Sequence, residues 1–219
     1  MNDYSFILPA LFGLSPPAMR PRDQHKQAAL IEATLHQVTE HGFGASSVAR
    51  IARRAGISPG TVYIYYCDKE TLLEAAFLHV SDRLIETALT AFDPRPGLRE
   101  ALGAVWRAMF ALALEQPRLF RFHEQFTHSS RMNPALQERN EARLSPVLEA
   151  IEQGQREGRI KPVGLELIEA FLLRPIHSLV HGHSCRPFTP TPEAIDSAFA
   201  MTWDAIALHP TTPLDQSDS

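Results

Sequence analysis

Between Ser46 and Leu73 the chain spells out two short helices that cannot merge into one. Val48, Ile51, Ala52 and Ala55 fall on one stripe of a helix of about two turns, and such a stripe needs covering by something else. Ser46 or Ser47 supplies an N-cap oxygen, and Gly56 sits where a chain leaving a helix takes a positive φ. Ile57 plugs the turn, Ser58 caps the next helix, and Pro59 occupies its first turn, where a missing N–H costs nothing. In that second helix Val62 and Tyr66 can face a core, which leaves Thr61, Tyr63, Ile64 and Tyr65 spread over the other faces.

A helix this short does not normally expose so many rings. Two helices joined by a tight glycine-containing turn present the second as a probe that fits the DNA major groove, about 12 Å wide. The tyrosine hydroxyls can hydrogen-bond phosphates or base edges, while the thin residues Gly60 and Thr61 allow close approach.

These residues carry a family resemblance. His41, Gly42 and Phe43, then Ser46 through Leu72, resemble the DNA-binding head of TetR/AcrR-type transcriptional regulators over about 50 residues, matching in spacing, turn glycine and the Tyr-x-Tyr-Tyr run. The resemblance implies that Ser47 contacts phosphate and that Pro59, Gly60, Thr61, Tyr63, Ile64 and Tyr65 face the groove. It implies further that Lys69 holds a phosphate and that Tyr66 packs inside. Arg22 and Lys26, basic residues near the start of the first helix, complete the DNA-binding set. Three positions depart from the family pattern: Ala49 stands where several relatives carry a base-reading arginine, Ile64 replaces a commoner polar residue, and Gln37 interrupts a Leu-Phe pair.

Composition sets bounds around this motif. The chain has 219 residues, 44% hydrophobic and 21% charged, enough for a substantial core, and its net charge of −4 does not by itself announce a nucleic-acid partner. The distribution is more telling. Residues 20–70 hold seven basic side chains against five acidic ones, or +2, leaving −6 for the remainder, the sign that phosphate attraction requires. Cys67 and Cys185 are too few for a disulfide framework and suggest a reducing cytoplasm. No apolar run reaches the roughly 18 residues of a membrane span, and the opening segment, broken by Pro9, Gly13, Pro16 and Pro17, makes a poor signal peptide. Met19 is a more natural start, so residues 1–18 read as a mis-assigned extension or a chain-specific arm.

Strand alternation is absent, so the expected fold is all-α with about nine helices. A first helix from about Arg22 to His41 buries Leu30, Ala33, Thr34 and Val38 and is closed by Gly42. A long helix from Lys69 to near Asp93 carries Leu72, Leu73, Ala76, Val80, Leu84 and Ala88 on one stripe; at about 30 Å it can act as a lever between head and body. Further helices read at 98–115, 117–127, 134–157, 163–183 and 192–208, with prolines near several starts. This divides the chain into a disordered extension (1–19), a helix-turn-helix head of three helices (20–68), an effector-binding and dimerisation bundle (69–209) and a disordered tail (210–219).

Large rings at Trp106, Phe110, Phe120, Phe122, Phe126, Phe171, Phe199 and Trp203 are expected mostly in the core, with a minority free to line a cavity. The ligand-pocket candidates are Trp106, Met109, Phe110, Phe122, His123, Phe126 and His177, apolar or amphipathic residues on central helices. The resemblance implies that the last two helices build a four-helix dimer interface with a second copy. Pro175 is expected to bend its helix without ending it. His177, His181, His183 and Cys185 also have metal-ligand spacing, which leaves a metal-dependent enzyme as one alternative and a helical interaction module without DNA binding as another. No nucleophile elbow, P-loop or dinucleotide fingerprint is present. The expectation is therefore a cytoplasmic, homodimeric, ligand-released repressor of a palindromic double-stranded DNA operator. It is neither an enzyme nor a membrane protein, has no metal or cofactor, and is controlled by a small-molecule effector.

Overall fold

In the computed structural model, residues 21–182 and 187–209 are described. Among them nine helices follow one another: α1 (Pro21–Ala45), α2 (Val48–Arg54), α3 (Pro59–Tyr65), α4 (Lys69–Ala91), α5 (Leu98–Glu115), α6 (Pro117–Thr127), α7 (Pro134–Arg156), α8 (Leu165–His181) and α9 (Pro192–Ile206). Among the described residues the only extended pairing is an isolated antiparallel bridge, Ile160 to Ala207. There, Lys161 N–H donates to the Ile206 carbonyl (2.9 Å) and Leu208 N–H to the Arg159 carbonyl (3.0 Å), tying the end of α9 to the segment that follows α7. Residues 1–19, His183, Cys185 and the tail from 210, for which the sequence raised expectations, lie outside the described residues.

The boundaries follow from local chemistry. Gly42 does not close α1 as expected: the backbone breaks there at φ 75°, ψ 170°, and helical structure resumes as far as Ala45. Only glycine takes such a dihedral pair without strain. The break lets Ser46, buried, donate its hydroxyl back to the Gly42 carbonyl at 2.7 Å. Ser47 is the cap of α2, its side chain accepting from Arg50 N–H. At the other end Ile57 N–H reaches the Ala52 carbonyl (2.9 Å) and Gly56 N–H the Arg53 carbonyl (3.2 Å), with Gly56 at φ 67°, a Schellman closure. Asp68 starts α4 by accepting Thr71 N–H (2.7 Å) and the Thr71 hydroxyl (2.8 Å); those bonds hold its carboxyl below the ordinary range. In place of the ends expected near Asp93, 183 and 208, α4, α8 and α9 stop at Ala91, His181 and Ile206. Pro175 lies inside a continuous α8.

The apolar stripes interlock into one core. Leu30, Ala33, Thr34 and Val38 of α1 are buried against α2 and α4, the Thr34 hydroxyl being satisfied by the Leu30 carbonyl at 2.7 Å. The stripe of α4 is buried along its length and packs on α1, α5, α6 and α7. Helix α5 packs in turn on α8 and α9, where the Trp106 indole N–H donates to the Leu172 carbonyl at 2.8 Å. Phe77 of α4 stacks on Phe126 of α6 with centroids 4.2 Å apart. Phe171, expected among core rings, is an exception: it is half-exposed on α8.

Candidate nucleic-acid interface

Helix α3 has seven residues, and only Val62 among them is buried. One buried contact cannot hold a helix of two turns, so its position is set from both ends. Ser58 accepts Thr61 N–H and pairs with the Thr61 hydroxyl at 2.8 Å, and Tyr66 N–H returns to the Val62 carbonyl at 2.9 Å. Tyr66 lies just beyond the helix, in extended conformation and packed against the core, where burial pushes its phenol pKa up. With Val62 facing in, Gly60, Tyr63 and Ile64 form the outward stripe, one helical turn tall. Tyr63 is 55% and Ile64 77% exposed, and nothing lies within 4 Å of where a Cβ on Gly60 would sit.

The other DNA-binding candidates fall around this stripe. Pro59 and Ser47 are exposed at the N-terminal ends of α3 and α2, and Thr61 and Tyr65 flank the outward face, partly covered. Lys26 is half-buried on α1, and Arg22 lies in the first turn of that helix, its side chain outside the described set. Lys69 opens α4 with its ammonium donating to the Phe43 carbonyl at 2.6 Å, so the amine is seated at the junction of α1 and α4. Arg50, Arg53 and Arg54 on α2 were not singled out from sequence, yet all three are exposed, Arg53 and Arg54 in the last turn beside the α2–α3 turn and Arg50 at the other end, donating to the Ala45 carbonyl at 3.2 Å. Their run in a helix otherwise apolar on one face was the available signal.

A second feature invisible from spacing is how α1 joins the body. The Phe43 ring meets Phe122 and Phe126 of α6 edge-on at 6.2 and 6.1 Å, and the Arg131 guanidinium lies over its face at 4.6 Å. Arg131 also binds Glu70, the second residue of α4, through two hydrogen bonds of 2.8 and 3.1 Å. Asp82 of α4 is shared by Arg139 and Arg143 of α7. Helix α4, which begins beside α3, is thus clamped to α6, α7 and the loop between them by the Phe77–Phe126 stack and by ion pairs to Arg131, Arg139 and Arg143.

Of the ligand-pocket candidates, Trp106, Met109, Phe110, Phe122 and Phe126 are buried in the core. His123 stacks on Phe77 at 5.6 Å, and burial lowers its pKa to about 4. His177 of α8 reaches Glu124 of α6 at 2.6 Å; burial lowers its pKa despite that carboxylate. His181, one turn on, has its ring 4.7 Å from that of His177 and accepts the Arg121 Nε–H through Nδ1 at 3.3 Å. Desolvation, then His177 and Arg121, hold it at about 4. Among the described residues no group of three or more His, Cys, Asp or Glu side chains is placed to hold a metal, and no helix is long and apolar enough to cross a membrane.

Comparison with known proteins places both halves. Residues 30–76 match the family described as bacterial regulatory proteins, tetR family, and residues 98–207 match the tetracyclin repressor-like C-terminal domain. A TetR family transcription regulator from Marinobacter aquaeolei VT8 is 49% identical, with a TM-score of 0.82 over 87% of this chain and 100% of that one. A TetR-family regulator from Haemophilus influenzae RD, 20% identical, shares the fold at a TM-score of 0.71 over 86% and 100% of the two chains. The HTH-type transcriptional regulator BetI of Yersinia pestis (strain Pestoides F) is 34% identical over 118 residues, 45% of this chain and 60% of BetI. That of Paraburkholderia phytofirmans is 32% identical over 129 residues, 51% and 65% respectively. The chain thus spans under two thirds of these curated relatives.

Proposed function

The chain belongs to the tetR family of bacterial regulatory proteins, and from that premise we propose that it acts as a homodimeric repressor of a palindromic operator, released by a small ligand. Its biochemical class, a DNA-binding transcriptional regulator, follows from family membership. The observation that carries the rest is the outward stripe of α3, with Tyr63 and Ile64 bare on a helix clamped through α4 to the body. In this proposal residues 20–68 are the DNA head and 69–209 the effector and dimer body. Ser47, Arg22, Lys26 and Lys69 meet phosphates, while Pro59, Gly60, Thr61, Tyr63, Ile64 and Tyr65 face the groove.

A dimer is supported by what α8 and α9 leave uncovered. Leu167 and Phe171 on α8 and Met201 on α9 are 48%, 50% and 75% exposed, large apolar side chains of the kind that mark an interface. Two heads held about 34–36 Å apart fill successive major grooves. A ligand seated among Trp106, Met109, Phe110, Phe122, His123, Phe126 and His177 acts on α6 and so on α4, changing that separation. It need only favour the incompetent spacing: a hundredfold preference is worth about 2.7 kcal/mol. The test is Tyr63→Ala, assayed by gel shift on DNA upstream of the protein's own gene. Binding is expected to weaken while the dimer persists in sedimentation, and unchanged affinity would discard the role given to α3.

A further inference from the structure

Helix α3 reads Pro-Gly-Thr-Val-Tyr-Ile-Tyr and contains no Arg, Lys, Asn, Gln, Asp or Glu. The bidentate side chains that identify guanine and adenine, and the carboxylates that accept from cytosine, are therefore absent from it. Ala49 on α2, exposed, adds no donor or acceptor either. The Thr61 hydroxyl is engaged with Ser58 at 2.8 Å. Beside the hydroxyl of the exposed Tyr63, the helix offers Ile64, at 77% the most exposed large apolar side chain among the described residues. Exposing a branched aliphatic is unfavourable unless an apolar partner covers it.

In the major groove one apolar feature distinguishes a base: the C5-methyl of thymine. Gly60 stands one turn before Ile64 on the same face with open space around it, so the helix backbone can come close and the Ile64 side chain can reach base edges. Arg53 and Arg54 are exposed in the last turn of the adjoining helix, where they can meet phosphates beside the groove. We infer that Ile64 reads thymine C5-methyl groups, and that this methyl contact contributes to the sequence preference of this protein. The inference rests on α3 being the groove helix.

The experiment uses the full-length protein and a duplex enriched by it from a random pool. Each thymine of that duplex is replaced in turn by deoxyuridine, which keeps base pairing and removes only the methyl. Burial of one methyl corresponds to about fourfold in affinity, or roughly fifteenfold when both half-sites are changed. The expected result is one symmetry-related pair of positions where wild type weakens by these factors. Ile64→Ala should bind the unmodified duplex correspondingly weakly and be indifferent to uridine at that pair alone; Ile64→Val should fall between. Because Ile64 is exposed, these variants retain the fold. Wild type indifferent to every uridine, or Ile64→Ala as sensitive as wild type at every position, overturns the assignment while leaving DNA binding intact. Failure to enrich any duplex overturns the regulator reading itself, and this inference with it.

Discussion

Phe43→Ala tests whether α1 and α6 behave as one packed unit. The side chain makes two edge-on ring contacts, to Phe122 and Phe126, and carries the Arg131 guanidinium on its face. Each aromatic pair is worth about 0.5–1.5 kcal/mol and a half-exposed cation–π contact about 0.5–1 kcal/mol. Burial lost from a partly covered ring adds about 1 kcal/mol, so the total is roughly 3 kcal/mol. For a chain of this size that lowers the melting temperature by roughly 6–12 °C. The assay is far-UV circular dichroism on heating at fixed protomer concentration, since a dimer's stability depends on it. Tryptophan fluorescence provides a second probe, because the Trp106 ring is buried and donates from α5 to the Leu172 carbonyl of α8. A double-mutant cycle with Phe126→Leu isolates the ring pair and should return at least about 0.5 kcal/mol of coupling. A melting temperature within about 2 °C of wild type, or no coupling, would refute the claim that these rings join head to body.

His123 is neutral in the fold, with a pKa near 4 against the ordinary 6.5, so the unfolded chain takes up a proton that the folded one refuses. Its contribution is therefore complete above about pH 6.5 and is lost as pH falls toward 4; between about pH 7.5 and pH 5 wild type should lose ~2 kcal/mol more than His123→Phe, measured by urea unfolding, and equal losses would exclude His123 as the cause. Gly154 has no room for a side chain, since a Cβ there runs into Leu98 and lies 3.4 Å from Ile160; Gly154→Ala should cost about 1–3 kcal/mol, and a neutral effect would mean that α7 can shift away from α5. Phe171→Glu together with Met201→Glu should yield a well-folded monomer in sedimentation that no longer shifts DNA; a dimer that survives both would place the interface elsewhere.

Helix limits were legible because the devices that set them act over a few residues. A serine accepts from an N–H three positions on, as Ser58 does, and a glycine turns positive in φ, as Gly56 does. The exposure of Tyr63 and Ile64 was legible for a related reason: once Val62 is assigned inward, helical periodicity sends them out. Misjudgements came where local signals competed with packing. Gly42 breaks α1 without ending it, because Phe43 beyond the break finds a seat among the rings of α6. Phe171 falls in the minority of large rings outside the core, half-exposed while Ile168 and Ile176 on the same helix are buried.

From its order of residues alone, this polypeptide determined that it would be helical, where its helices would be capped, and which side of a short tyrosine-bearing segment would look outward, all properties of contacts within one or two turns. Which distant groups meet was decided only by the assembled fold. Lys69 sits on the Phe43 carbonyl, Arg131 lies across the Phe43 ring while holding Glu70, and Asp82 is shared by two arginines of α7. Those partners lie tens of residues apart, and no pattern of spacing specifies them; they are selected when the buried stripes of α1, α4, α6 and α7 lock into a single relative orientation.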